Sequence, residues 1–339
     1  MRALLRVFVG TFFLTALLTA AEKQLRIFFI DVEGGQATLF VTPEGRSLLV
    51  DTGWGYNAYR DANRIAAVAR RAKIKRIDVV VITHYHSDHV GGVPQLVQKI
   101  PVGLFVDHGE NRETTKESAT LYREYLAGLR DAPRRSVKPG DHIPIKGMDV
   151  VVVSADGNVI ASPLAGAGTT NRFCQGVNQK EPDPSENARS LGVVLTFGSF
   201  RAVDLGDLTW NKELELVCPQ NKVGTADLLV VSHHGLDQSN SPALVHALTP
   251  RVAVIDNGSK KGGSASAWDI VKSSPGLQDI WQLHFADAAG SEHNTTDPFI
   301  ANTNEADTGF YLEATANQDG SFELYNPRNK FKREYGAGR

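Results

Sequence analysis

Ile77-Asp78-Val79-Val80-Val81-Ile82-Thr83-His84-Tyr85-His86-Ser87-Asp88-His89-Val90-Gly91-Gly92 passes within sixteen residues from an apolar run to a cluster of polar donors. The first part has the near-continuous hydrophobicity of a strand buried on both faces. The second part places His84, His86, Asp88 and His89 on one tight loop at the strand end, closed by two glycines. Packing does not ask for so many donors in six positions. Imidazole nitrogen and carboxylate oxygen are the ligands of open catalytic zinc sites, and donors spaced this closely can be divided between two ions. The plainer alternative is a polar loop with satisfied histidines, and the density of donors counts against it.

Upstream of this stretch, residues 25–31, 37–41 and 47–51 have strand character, the first two joined by the Gly34-Gly35 turn, which predicts an antiparallel meander. A helix is expected around residues 60–72, where Ile65, Val68, Ala69 and Ala72 share one apolar face. Downstream, a short helix near 94–99, a strand at 102–106, a helix around 115–130 and a strand at 148–154 alternate, as in mixed α/β layers. Residues 157–189 are rich in Gly, Ala, Pro, Asn and Ser without periodicity and read as a loop insertion. A second series follows, with strands at 191–197, 200–205, 228–231, 252–256 and 279–285 and helices near 211–217, 242–248 and 265–273. Strands at 309–314 and 321–325 then close the domain. Two halves with the same order of strands and then helices suggest two facing sheets with helices outside, in one domain.

The chain has 339 residues, 42% hydrophobic and 22% charged, enough to bury a sizeable core. Arg2 and Arg6, the apolar stretch 7–20 and the small residues Thr19-Ala20-Ala21 have the order of an export signal, so residues 1–21 are expected to be cleaved. The stretch is short for a membrane span, and the mature form is expected to have no membrane association. One domain would then cover 22–330 and a tail 331–339, in a periplasmic or secreted protein. Losing two Arg and no acid moves the formal charge from −2 to −4, which gives no global attraction to nucleic acid. The basic clusters at 70–76, 130–138 and 330–333 read as helix ends and solvated faces. Cys174 and Cys218 are compatible with one disulfide or with two free thiols.

Thr83-His84-x-His86-x-Asp88-His89 with Gly91-Gly92 resembles the signature of the metallo-β-lactamase superfamily. The resemblance implies a four-layer αββα sandwich, with His84 and His86 on a first metal and Asp88 and His89 on a second. Leu49-Val50-Asp51-Thr52-Gly53 resembles that family's early turn, in which Asp51 would support the metal loop from behind. Asp207, in Leu205-Gly206-Asp207, stands where a carboxylate bridges both metals. Val231-Ser232-His233-His234-Gly235 resembles the last ligand motif: one of His233 and His234 would bind the second metal. The other would orient substrate or protonate the leaving group. Asp88 would also orient the attacking hydroxide.

Phe29 to Ala37, Ala226 to Gly235, Ser239 and Ser241-Pro242 are similar to the soluble hydrolase domain of ComEC-type competence proteins and its stand-alone relatives. That branch implies two zinc sites and hydrolysis of a phosphodiester or related ester through a metal-bound hydroxide. Lactone or β-lactam hydrolysis, or a non-catalytic binding protein on the same fold, are the alternatives. Two departures stand out. The third His of lactamase-like first sites is absent, its place taken by Asn187 and Ser190, weaker donors that imply a first site only partly occupied. Asn257-Gly258 leads into Ser259-Lys260-Lys261-Gly262-Gly263-Ser264, where the competence-type pattern has Gly-His-Pro.

Overall fold

The computed structural model describes residues 24–303 and 308–337. The leader expected at 1–21 lies outside the described residues. β1 (Leu25–Phe29), β2 (Thr38–Val41) and β3 (Ser47–Val50) form the antiparallel meander. α1 (Arg60–Arg71) crosses to β4 (Val79–Val81), parallel to β3. The short α2 (Ser87–Val90) and α3 (Val93–Leu96) lead to β5 (Phe105–Asp107), and α4 (Lys116–Gly128) leads to β6 (Arg134–Ser136).

The second half begins with β7 (Asp149–Ala155), β8 (Asn158–Val159), β9 (Gly192–Phe197) and β10 (Phe200–Asp204). It continues through α5 (Trp210–Val217), β11 (Leu228–Val230), α6 (Pro242–Leu248), β12 (Val252–Ile255) and α7 (Ala265–Lys272) to β13 (Asp279–His284) and β14 (Ile300–Asn302). β15 (Leu312–Ala316), β16 (Phe322–Asn326) and β17 (Phe331–Tyr335) return to the first sheet. The sheets run β17-β16-β15-β1-β2-β3-β4-β5-β6 and β14-β13-β12-β11-β10-β9-β7-β8.

The two-residue period of the strands sorts side chains between layers. Leu48 and Val50 of β3 point inward, where they join Val152, Leu195, Val230 and Val254 of the second sheet in the central core. Leu49 points outward to a layer shared with Ile65, Val68 and Ala69 of α1 and Tyr125 of α4. On the far side, Val203 and Leu229 pack against Leu216, Leu244 and Val271 of the second helical layer. This is the αββα sandwich. Its parallel strands β3, β4, β10, β11 and β12 end on one rim, where the loops after β4, β10 and β11 bring their polar side chains together.

The expected boundary at residue 330 and the tail 331–339 need correcting, because Phe331–Tyr335 pairs antiparallel with β16. Tyr335 is buried, accepting from Trp281 Nε1 at 2.9 Å and donating to Asp279 Oδ2 at 2.8 Å. Its neighbours Lys332, Arg333 and Glu334 are exposed, the charged dress of an edge strand, which hides it from a hydrophobicity reading. β6, at the opposite edge, was missed for the same reason. The insertion at 157–189 is partly ordered: it carries β8 and two single turns at Arg172–Cys174 and Glu186–Arg189. Cys174 and Cys218 form a disulfide that ties it to the end of α5.

A candidate metal centre between the two sheets

Each candidate ligand is delivered by the loop after a buried strand, and the turns are held by backbone hydrogen bonds. The Asp51-Thr52-Gly53 turn after β3 clasps the metal loop: Thr52 N–H and Oγ1 both donate to the His89 carbonyl at 2.8 Å. Asp51 is fully buried and accepts from Thr83 N–H at 2.8 Å, from Thr83 Oγ1 at 2.6 Å and from His89 Nδ1 at 2.7 Å. Thr83 therefore tightens the loop. Gly206 sits at φ +55°, and a Cβ there would lie 2.8 Å from Thr83 Cβ, so the Asp207 turn packs onto the metal loop only without a side chain.

Asp88, His89, Asp207 and His234 converge, with one ligand atom from each within 4.8 Å of the others. His89 Nε2 and His234 Nε2 lie 3.2 Å apart, and Asp88 Oδ2 lies 3.3 and 3.2 Å from them. The two adjacent histidines are placed differently. His234 enters the four-donor group, while His233 Nε2 faces Asp207 Oδ2 and Asn187 Nδ2, each at 3.4 Å. The two imidazoles diverge because both residues adopt left-handed backbone, φ 55° and 53°. The turn is fixed by His233 N–H to the Gly206 carbonyl at 3.0 Å and Gly263 N–H to the His234 carbonyl at 2.8 Å.

The second donor pair is His84 Nε2 and His86 Nδ1, 3.1 Å apart. Asp207 lies between the groups: Oδ2 is 3.8 Å from His84 Nε2 and 3.2 Å from His89 Nε2, and Oδ1 is 3.6 Å from His234 Nε2. A carboxylate so placed can serve both positions. Ser190 Oγ approaches the outer Nδ1 of His84 at 3.5 Å, so it backs that ring and does not supply a donor to the first position. Asn187 stands beside His233, its Oδ1 buried without a hydrogen-bond partner.

The outer nitrogens decide which way the rings face. His89 Nδ1 is on Asp51, His86 Nε2 is 3.0 Å from Glu113 Oε2, His234 Nδ1 is 3.3 Å from Asp256 Oδ1, and His84 Nδ1 is 3.0 Å from Thr83 Oγ1. The partners of His89, His86 and His84 fix the tautomer and turn the other nitrogen inward, the arrangement that metal-ligating histidines show, while Asp256 faces the His234 ring by charge and not through an aligned hydrogen bond. Glu113 and Asp256 were missed from the sequence. Asp256 ends an apolar strand as Asp31 and Asp51 do, a signal that could have found it. Glu113 lies on an irregular loop positioned by the buried His108–Glu186 pair (2.9 Å) and gave no local signal.

The electrostatics ask for a cation. Burial opposes ionisation of Asp88 and Asp207, yet the surrounding imidazoles outweigh it and hold both carboxyls well below the usual range. Burial likewise disfavours protonated His89 and His234, but the carboxylates prevail, raising His89 well above its ordinary value and His234 to about 9. Burial, with the neighbouring histidines, lowers His84 and His233. A proton and a metal ion compete for the same nitrogens, so metal binding here releases protons. Asp207 Oδ1, buried and without a hydrogen-bond partner, fits the same need. The residues present fit a metal.

His142, His246 and His284 lie elsewhere. His142 is exposed on Asp149, and His246 bonds the Ile270 carbonyl. His284 pairs with Asp31 at 2.8 Å, near Glu33, joining the ends of β13 and β1.

Glu213 of α5 holds the loop that brings Ser239 to 3.4 Å from His233, accepting from Asn240 N–H at 2.7 Å and Ser241 N–H at 2.6 Å. Burial raises its carboxyl from 4.5 to about 7 although those donors favour the anion. A raised folded value means that this group's stabilisation is complete below pH 4.5 and is lost as pH rises through about 7. The stability of wild type relative to Glu213→Gln is therefore expected to fall by about 3 kcal/mol across that window, measured by urea denaturation. A difference independent of pH would contradict this origin.

These loops, the paired sheets and the inward-facing donors define a candidate metal centre of the metallo-β-lactamase type. Residues 31–169 of the chain match the model of the metallo-β-lactamase superfamily. The chain is similar to competence proteins. It is 24% identical over 262 residues to ComE operon protein 3 of Bacillus subtilis (strain 168), covering 73% of this chain and 30% of that protein. It is 32% identical over 80 residues to ribonuclease Z of Metallosphaera sedula, covering 22% of this chain and 25% of that protein. The matched stretches thus span less than a third of these curated relatives. Among solved structures, the metallo-beta-lactamase fold protein YhfI from Bacillus subtilis is 12% identical with a TM-score of 0.46, covering 76% of this chain and 95% of that one.

Proposed function

We propose that this chain is an exported, zinc-dependent hydrolase that acts on a phosphodiester or a related ester. The observation that carries the reading is the four-donor group Asp88, His89, Asp207 and His234, with the outer nitrogen of His89 on Asp51 and that of His234 facing Asp256 at 3.3 Å. Nitrogen and carboxylate donors suit zinc. Bound there, zinc would supply a water of lowered pKa and polarise the oxygen of the group under attack. His84, His86 and Asp207 would hold a second ion less tightly. Asp88 orients the nucleophile from one side, and His233, buried and held neutral, is placed to move a proton at Nε2.

The phosphodiester preference is supported by the competence-type resemblance and by the local match to ribonuclease Z. Export is supported by the signal-like residues 1–21 and by the Cys174–Cys218 disulfide, a feature of oxidising compartments. The described residues include no helix long and apolar enough to cross a membrane. The test is turnover by zinc-loaded protein of bis-nitrophenyl phosphate beside a chromogenic lactam and a lactone. Turnover of the diester in preference to the others is expected. Preference for the lactam or lactone moves the function to amide or lactone hydrolysis, and no turnover with full metal loading favours a binding protein.

A further inference from the structure

The segment that departs from the competence-type pattern carries Lys261 directly onto the centre. Its ammonium forms an ion pair with Asp88 Oδ2 and lies 4.9 Å from the centroid of the Trp54 ring. The side chain retains 33% exposure, whereas Asp88 retains 7%. Lys261 therefore stands at the mouth of the four-donor group, one side on the ligand and the other on solvent.

The loop is built to hold it there. Gly258 N–H donates to the Lys261 carbonyl at 2.8 Å, closing a turn. Gly263 N–H donates to the His234 carbonyl at 2.8 Å and Ser264 N–H to the Gly235 carbonyl at 2.9 Å, which joins the loop to the ligand turn. Gly262 has φ +86°, and a Cβ there would lie 2.3 Å from the His234 carbonyl oxygen, so the approach requires glycine. The lysine is fixed from both ends of its loop.

Charge balance gives it a task. Asp88 and Asp207 neutralise one divalent ion among the groups that face the open side, while Asp51 and Asp256 lie behind imidazoles. The Lys261 ammonium then adds positive charge at the mouth, and a second ion at His84 and His86 would add more. An oxyanion between ammonium and metal is attracted by both, in a half-buried setting where screening is reduced. A neutral lactone or ester gains nothing from it.

We propose that Lys261, flanked by Trp54, is a substrate-binding residue that recognises an anionic oxygen on or next to the group hydrolysed and selects anionic substrates over neutral ones. This rests on the hydrolase reading above and names the charge class of its substrate. A phosphodiester oxygen and a carboxylate beside an acyl group share this chemistry.

The test compares wild type, Lys261→Met and Lys261→Arg after zinc loading. Inorganic phosphate binding is measured by calorimetry, metal content by mass spectrometry, and kinetics with bis-nitrophenyl phosphate, a lactam bearing a carboxylate and a neutral nitrophenyl ester. Lys261→Met is expected to weaken phosphate binding and raise KM for the anionic substrate by about tenfold or more, with metal content unchanged and Arg restoring most of the loss. Preference for anionic over neutral ester falls by the same factor. Whether KM rises for the diester or for the lactam identifies the source of the anion. Phosphate affinity within about twofold of wild type in the Met variant would overturn the proposal, as would loss of metal, which would make Lys261 a part of the ligand scaffold. If wild type turns over none of the substrates, the hydrolase reading fails, and phosphate calorimetry still decides the role of Lys261.

Discussion

Replacing Asp207 with alanine is expected to lower turnover by more than about a hundredfold and to remove metal from the protein. The bound follows from position. Residues that merely orient ligands cost about 10- to 100-fold when removed, and Asp207 lies inside that shell, with its two oxygens toward different histidines. Among the described residues no backbone group hydrogen-bonds to it in the way that Asn240 and Ser241 bond to Glu213. The variant should therefore fold, as its far-ultraviolet dichroism will show. Metal content and rate measured on one preparation separate a lost ligand from a lost fold. A variant that keeps both its metal and its rate would remove Asp207 from the centre.

Asp51→Ala is expected to act on the fold as strongly as on the site. Three donors converge on this buried carboxylate, two from Thr83 and one from His89, and alanine leaves all of them without an acceptor. Asp51 also sits at φ +59°, where alanine is strained and asparagine is tolerated. Breaking a buried charged pair on one side typically costs about 3–5 kcal/mol, which sets the expected loss in chemical denaturation. Asp51→Asn should fold with less loss yet bind metal about 10- to 100-fold more weakly, because its amide cannot satisfy three donors or hold the His89 tautomer. If Asp51→Ala unfolds within about 1 kcal/mol of wild type, the clasp between β3 and the metal loop is not what holds the site.

What could be read in advance was what lies close in sequence. The loop after β4 carries four donors in one turn, and Asp207 and His234 announce themselves by following apolar strands. The sandwich was legible because each half repeats the same order of strands and helices around continuous apolar runs. Charged edge strands were not legible: β6 and β17 owe their place to backbone pairing, with few apolar side chains to betray it. Nor could the sequence choose between His233 and His234, since the choice depends on two successive left-handed residues that turn the rings apart. Glu113, Asp256 and Lys261 each meet their partner across a long separation in the chain. Lys261 was visible only as a departure from a pattern, and its meaning came from the turn that carries it back to Asp88.

Metal content of the purified protein after zinc loading, counted by mass spectrometry, tests the account most directly. The donor geometry predicts one tightly held equivalent in the Asp88, His89, Asp207 and His234 group and a second, weaker one at His84 and His86. Wild-type protein that takes up no metal would contradict the central claim, and two equally tight equivalents would contradict the ranking of the sites.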